Sequence, residues 1–247
     1  MKNQILFCAA FLFITVGNLI AQRTVDVDPF DQVIISPHIE VTFVQGDSES
    51  VTVEHLEVDE SKLNIEVEGN TLRVYLDGAK NIPKNKKVYV EGRKMKRPLY
   101  KGTQASVIIT YNSIDDLSLR GEERISFKSV IDQEKLRLKI YGESRVTFEE
   151  LQLSNLHTTI YGESELLVKD GAVREHKIVA YGESQINMED IDNSKTKLTA
   201  YGEARFALNT SDQIKVTAFG EAVVRYKGTP NVKKGITIGD VKIYNMD

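Results

Sequence analysis

The stretch Leu138-Lys139-Ile140-Tyr141-Gly142-Glu143-Ser144-Arg145-Val146-Thr147-Phe148 decides the fold. Apolar side chains at 138, 140, 146 and 148 alternate with polar ones on both sides of Gly142. That is period two, the mark of a strand with one buried face; a helix needs apolar residues three and four apart. The same parity runs through the motif itself. Gly142 and Ser144 fall on the inward side, where small residues let the backbone bend or approach a neighbour closely. Tyr141 and Glu143 fall on the outward side.

The motif recurs along the second half of the chain. Tyr161-Gly162-Glu163-Ser164, Tyr181-Gly182-Glu183-Ser184, Tyr201-Gly202-Glu203-Ala204 and Phe219-Gly220-Glu221-Ala222 follow it. Arg120-Gly121-Glu122-Glu123 precedes it as a degenerate copy, and Gly239-Asp240 looks like a worn final one. From Gly121 to Gly220 the glycines are spaced 21, 20, 20, 20 and 18 residues apart. The flanks keep the alternation, with Leu117, Leu138, Thr158, Ile178, Leu198 and Val216 three residues before the motif's first position. Ile125, Val146, Leu166, Ile186, Phe206 and Val224 lie five after it.

One such strand pair cannot bury its apolar face alone, but stacked copies can. A repeat of about 20 residues fits one coil of a parallel β-solenoid, with equivalent residues about 4.8 Å apart. A propeller blade needs about 40 residues, and a leucine-rich repeat needs its own Leu and Asn or Cys signature. The expected fold is therefore all-β, a single-stranded right-handed parallel β-helix. An antiparallel meander with a hairpin at each Gly-Glu is the alternative. The first half is also β in character: Val33–Ile35, Ile39–Val44, Val51–Val53, Leu63–Val67, Leu72–Leu76, Val88–Val90 and Val107–Tyr111 read as strands, with turns at Gly46-Asp47 and Gly69-Asn70. No Pro- or Ser-rich linker divides the chain. The expected organisation is a signal peptide at 1–21 and one solenoid domain at 22–247, with less regular N-terminal coils to about 115 and Tyr-Gly-Glu repeats over 116–247.

The leader reading rests on Lys2, the apolar run Ile5–Val16, the loosening Gly17-Asn18, and Ala21 at the cut. The run is shorter than the roughly 20 apolar residues of a membrane span, so no transmembrane segment is expected in the mature chain. The only cysteine, Cys8, sits inside that run. A mature chain from Gln22 has no disulfide, thiol nucleophile or cysteine metal ligand, and its core and hydrogen-bond ladders must hold it together. With 32 Lys+Arg against 36 Asp+Glu the net charge is −4, and 41% hydrophobic residues give an ordinary globular balance. The mild acidity argues against a nucleic-acid partner.

Stacked coils would align Tyr141, Tyr161, Tyr181 and Tyr201 in one row and Glu143, Glu163, Glu183 and Glu203 in another. The rings would contribute about 0.5–1.5 kcal/mol per stacked pair, while like charges one strand apart repel. Arg124, Arg145 and Arg205, solvent, or Ca²⁺ would offset that repulsion, since carboxylates are hard oxygen ligands. The row is either a structural ladder with solvated acids or a ligand face, for which flat rings beside hydrogen-bonding groups suit sugars. No other cofactor is indicated. A second candidate is basic: nine Lys or Arg lie between Lys80 and Lys101 against Glu91 alone. Lys86, Lys87, Arg93, Lys94, Lys96 and Arg97 form either an anion-binding site or a guard against edge-to-edge pairing. His157 and His176, 19 apart, could lie on neighbouring coils, but a zinc site needs further ligands. Glycoside hydrolysis requires one acid in an apolar pocket, the opposite of a repeated exposed row. There is no phosphate loop, Gly-x-Ser-x-Gly elbow or dinucleotide fingerprint.

The chain resembles the family described as putative auto-transporter adhesin, head GIN domain. The resemblance runs over residues 30–240: Phe30-Asp31-Gln32-Val33-Ile34-Ile35-Ser36-Pro37-His38-Ile39-Glu40-Val41-Thr42-Phe43-Val44-Gln45-Gly46, then Leu63 to Leu76 around Gly69-Asn70-Thr71-Leu72, the recurring glycine turns, and Gly228-Thr229-Pro230-Asn231-Val232. Where family members carry Gly-Ser-Gly, this chain has Gly-Glu-Ser or Gly-Glu-Ala. The resemblance implies a secreted bacterial parallel β-helix and brings no catalytic residues. The expectation is a non-catalytic binding or scaffold protein of the periplasm or outer cell surface, adhesin-like, with a glycan or an envelope protein as partner. A polysaccharide-active enzyme and a purely structural envelope protein are the alternatives. Solenoid ends need a cap, a partner or a second copy, so the oligomeric state stays open at this level.

Overall fold

The computed structural model describes residues 22–81, 83–90 and 93–247; the proposed leader lies outside them. The chain is a parallel β-solenoid. Its regular part is built from β10 (Asp116–Gly121), β11 (Arg124–Phe127), β12 (Ile131–Gly142), β13 (Arg145–Phe148), β14 (Leu151–Gly162), β15 (Glu165–Val168), β16 (Gly171–Tyr181), β17 (Ser184–Lys227), β18 (Asn231–Ile238) and β19 (Val241–Asn245). Pairing is parallel and in register with the repeat. Tyr141 lies opposite Tyr161 and Gly142 opposite Gly162, and β16 continues with Tyr181 opposite Tyr201. The antiparallel meander is thereby excluded.

Each coil has two corners of interest. One is the Gly-Glu turn. The other is a bend at Glu134, Ser154, Arg174 and Ser194, where pairing skips one residue between Gln133 and Lys135 and at the equivalent positions of the next coils.

The glycine is forced by stacking. Gly162 has φ +109°, and a Cβ there would lie 2.3 Å from the carbonyl oxygen of Gly142. That oxygen accepts from the Glu163 amide at 2.9 Å and the Ser164 hydroxyl at 3.0 Å. Gly121 repeats the arrangement with Glu143 and Ser144, both at 2.9 Å. Ser144 and Ser164 thus satisfy their own hydroxyls by bonding the coil beneath, whereas the buried Ser184 hydroxyl has no such partner.

The core is a set of rows along the axis. Phe43, Phe127 and Phe148 are in register and stack at 4.4 and 4.1 Å, and Val168 continues the row. All four are buried. Polar residues interrupt some of these rows. Thr158 replaces the Leu of Leu138, and His176 replaces the Leu of Leu156. The Thr158 hydroxyl and His176 Nε2 pair at 2.9 Å. Burial pushes the His176 imidazole down to about 3, so it is neutral inside the fold.

The N-terminal region departs from a simple succession of coils. Here β2 (Gln32–Ile35) and β3 (Ile39–Gln45) form a coil directly against β10 and β11. On its far side lie β6 (Thr71–Leu76), parallel to β2, and β9 (Ala105–Tyr111), parallel to β3. Sequence order and stacking order therefore differ. Three strands then run antiparallel: β5 (Leu63–Glu68) on β6, β4 (Ser50–Leu56) on β9, and β1 (Arg23–Asp26) on β4. The two-residue turn Gly69-Asn70 makes β5–β6 a hairpin, which only antiparallel strands can form. A 3₁₀ turn, Glu60–Lys62, leads into it. These strands cap the solenoid, where the sequence suggested merely irregular coils. A hairpin of β7 (Asn85–Val90) and β8 (Arg93–Pro98) forms a separate two-stranded sheet.

Candidate ligand face and its surroundings

The structure brings Tyr141, Tyr161, Tyr181, Tyr201 and Phe219 into one continuous ladder. Successive ring centroids are 5.0, 4.8, 4.9 and 5.1 Å apart, with planes within 1–6° of parallel. Tyr161, Tyr181 and Tyr201 are 39, 36 and 40% exposed. Because each ring lies on the next, their flat faces are occupied by one another; solvent meets ring edges and hydroxyls. This revises the expectation of flat rings offered to sugars: the ladder presents a comb of phenol groups. Its first ring is covered as well. The Arg120 guanidinium lies 5.6 Å from the Tyr141 ring centroid and donates to Asn81 Oδ1 at 2.8 Å. Ile238 is in register with Phe219.

Glu143, Glu163, Glu183 and Glu203 are exposed beside the rings, as the parity requires. Glu143, Glu163 and Glu183 line a shallow groove with Arg145, Glu165 and Arg205. Arg145 pairs one coil onward with Glu165 at 3.3 Å rather than with the glutamate row. Among the described residues no ion pair within 4.0 Å reaches the row, so bulk water screens it. Among the described residues no three His, Cys, Asp or Glu side chains converge as metal donors. His157 and His176 do lie on adjacent coils, but one position out of register: His176 sits opposite Leu156 and points inward, while His157 sits opposite Lys177 and is exposed. They cannot share a ligand.

The first copy of the motif closes the row. In the next two coils the Glu143 and Glu163 amides donate to the glycine carbonyl beneath. Beneath Gly121 is the Pro37 backbone, not a glycine. The Glu122 amide donates instead to Glu123 Oε2 at 2.9 Å. Glu123, standing where other copies have Ser or Ala, is buried and supplies the missing acceptor. Its Oε1 is 3.8 Å from His38 Nδ1, which donates to the Gly102 carbonyl at 2.9 Å. The sequence marked this copy only as degenerate; its acid is a cap.

The basic candidates all lie on the β7–β8 hairpin. Lys86 is directly opposite Arg97 and Lys87 directly opposite Lys96. These four are exposed, as is Met95 at 47%. Arg93 and Lys94 sit opposite Val90 and Tyr89. Lys80, outside the hairpin, is 3.6 Å from both Glu66 and Glu68. The hairpin is a two-stranded sheet apart from the main one, so its charges either guard its own two edges or meet an anion.

The family described as putative auto-transporter adhesin, head GIN domain, matches residues 29–230. The chain belongs to this family. Solved structures similar to this head GIN domain chain include a putative adhesin from Parabacteroides merdae, at 16% identity and TM-score 0.66, covering 92% of this chain and 96% of that one. A putative adhesin from Bacteroides fragilis matches at 15% and 0.74, covering 91% and 96%. A protein described as a putative lipid binding protein from Parabacteroides distasonis matches at 18% and 0.57, covering 92% and 96%. At these identities the likeness is one of fold. No curated protein matches the chain. Among the described residues no helix is long and apolar enough to cross a membrane.

Proposed function

We propose that this head GIN domain chain is a non-catalytic, adhesin-like binding protein of the bacterial cell envelope, exported by its leader to the periplasm or outer surface. Its ligand face is the comb of Tyr141, Tyr161, Tyr181 and Tyr201 with Glu143, Glu163, Glu183 and Glu203. One observation carries this reading. Equivalent hydroxyls and carboxylates repeat once per coil on an exposed flank, which suits a partner that is itself repetitive and is the reverse of a single catalytic pocket. The family's name and two of its structural neighbours support it.

The test is a screen of the purified mature protein against bacterial and host glycans, with Ca²⁺ and again with chelator. The expected result is saturable binding that weakens in steps as Tyr161, Tyr181 and Tyr201 are replaced by Ala. Loss with chelator would place Ca²⁺ between Glu163 and Glu183. Activity abolished by one acid substitution would favour a polysaccharide-active enzyme, and absence of binding would leave the ladder purely structural.

A second contact is favoured by the hairpin register. Like charges directly opposite destabilise a ribbon, and a lone two-stranded hairpin is marginal in water. An anionic surface bound by Lys86, Lys87, Lys96 and Arg97, with Arg93 and Lys94 beside them, relieves that repulsion. Binding to anionic vesicles that disappears at high salt is expected.

A further inference from the structure

The bend at the opposite end of the ladder strands holds a feature the Gly-Glu motif does not mark. A groove of about 620 Å³ runs across the coils there. Its outer row is Asp132, Gln152, Ala172 and Asp192, in register from coil to coil. Ala172, between two longer polar residues, leaves a depression. The next row inward is Gln133, Leu153, Val173 and Asn193. Leu153 and Val173 are buried and form an apolar floor. Arg174 stands at the rim.

Asn193 is the anomaly. It occupies the position that Leu and Val hold in the two preceding coils, and it is only 2% exposed. Neither its Oδ1 nor its Nδ2 has a hydrogen-bond partner, although its backbone carbonyl accepts from the Ser211 hydroxyl at 3.2 Å. A buried amide with both ends unsatisfied destabilises the fold relative to an apolar side chain of the same shape. Such a group calls for an explanation beyond folding. Beside it, Asn209 Nδ2 donates to Asp192 Oδ1 at 3.2 Å, which orients that carboxylate.

We propose that this groove binds an uncharged oligosaccharide lying along the solenoid axis, with Asn193 as its central contact. An amide offers a donor and an acceptor side by side, the pattern that two neighbouring hydroxyls answer. Asp132 and Asp192 accept from further hydroxyls and repel an anionic chain. Ala172 and the exposed edge of Leu153 present an apolar patch to the C–H face of a sugar ring, as apolar linings do in small-ligand sites. From Asp132 to Asp192 is three coil steps, about 14–15 Å at the interstrand spacing. This site is separate from the ladder.

The experiment titrates maltoheptaose, cellohexaose, xylohexaose and mannohexaose, with oligogalacturonate as charged control, into the mature chain. It is read by amide chemical shifts and calorimetry. At least one neutral chain is expected to saturate, shifting amides over 132–211, with oligogalacturonate inert. Asn193→Leu should weaken binding at least tenfold while raising the melting temperature, because it restores the apolar row. Ala172→Tyr, which fills the depression from the surface, should also weaken binding at least tenfold. It decides the matter if Asn193→Leu does not fold. Glu57→Gln, exposed on the cap, should bind these sugars normally, and Tyr161→Ala is measured beside it to separate this site from the ladder. The proposal is overturned if no neutral chain binds, if oligogalacturonate binds equally well, or if Ala172→Tyr and Asn193→Leu bind like the parent. Loss confined to Tyr161→Ala would move the sugar to the ladder, overturning this site while sustaining the other.

Discussion

The repeated half and the N-terminal cap use the same strand chemistry to opposite ends. Between Asp116 and Lys227 the coils repeat one plan: a glycine turn, an inward residue that is Ser or Ala after the first copy, and parallel rows of core side chains. Between Arg23 and Tyr111 the chain finishes the stack instead. Strands β1, β4 and β5 run antiparallel, and β6 and β9 lie outside a coil that precedes them in sequence. A solenoid propagates by leaving its edge open for the next copy, so a terminus needs a different device. The other end lacks such strands: β18 and β19 are mostly exposed, with Ile236 and Ile238 at 62 and 61%.

The comparison can be broken first in the core. Phe127→Ala removes a ring held between Phe43 and Phe148 at the junction of cap and repeat. It should cost about 3–5 kcal/mol in denaturant unfolding. Glycines in the two regions should then diverge. Gly162→Ala meets a carbonyl oxygen of the coil beneath and should cost about 3 kcal/mol. Gly69→Ala sits at φ +66° with nothing within 4 Å, so only the left-handed backbone is penalised, by about 1–2 kcal/mol. Equal losses at the two sites would refute the stacking argument.

Next comes pH. His176 has a folded pKa pushed far below its unfolded value of about 6.5. Between those values the unfolded chain binds a proton that the folded chain does not. Stability should therefore fall as pH drops from about 6.5 toward 3. His176→Leu should flatten that slope, measured by urea midpoints at pH 7 and pH 4.5. The ladder should give an effect of similar size to Gly69→Ala. Tyr181→Ala removes two stacking contacts, a loss of about 1–3 kcal/mol, smaller if the exposed rings repack.

Much of the repeat was legible because its signal is redundant. Period two, a glycine every 18 to 21 residues, and parity through the motif all point to one parallel register. The Tyr and Glu rows followed from that parity. The cap was half legible: Gly69-Asn70 between alternating strands announces a hairpin, but nothing local says that β6 stacks outside β2. That pairing is long-range and depends on which apolar face remains uncovered. Stacking of the rings was legible too; that it leaves only edges and hydroxyls to solvent shows in the geometry. The glycine motif does not mark the groove. Aligned on the bend instead, Gln133, Leu153, Val173 and Asn193 form a column in which the polar intrusion is visible.

The central claim is that the repeated half consists of interchangeable coils while the cap does not. The most direct test is deletion of residues 162–181, which joins Tyr161 to Gly182 and removes one whole coil. The account predicts a β-rich circular dichroism spectrum and a single cooperative thermal transition, with one rung lost from the ladder. Deleting residues 63–76, the β5–β6 hairpin of the cap, should abolish that transition. A chain lacking 162–181 that fails to fold, or one lacking 63–76 that folds as well as the parent, would contradict the account.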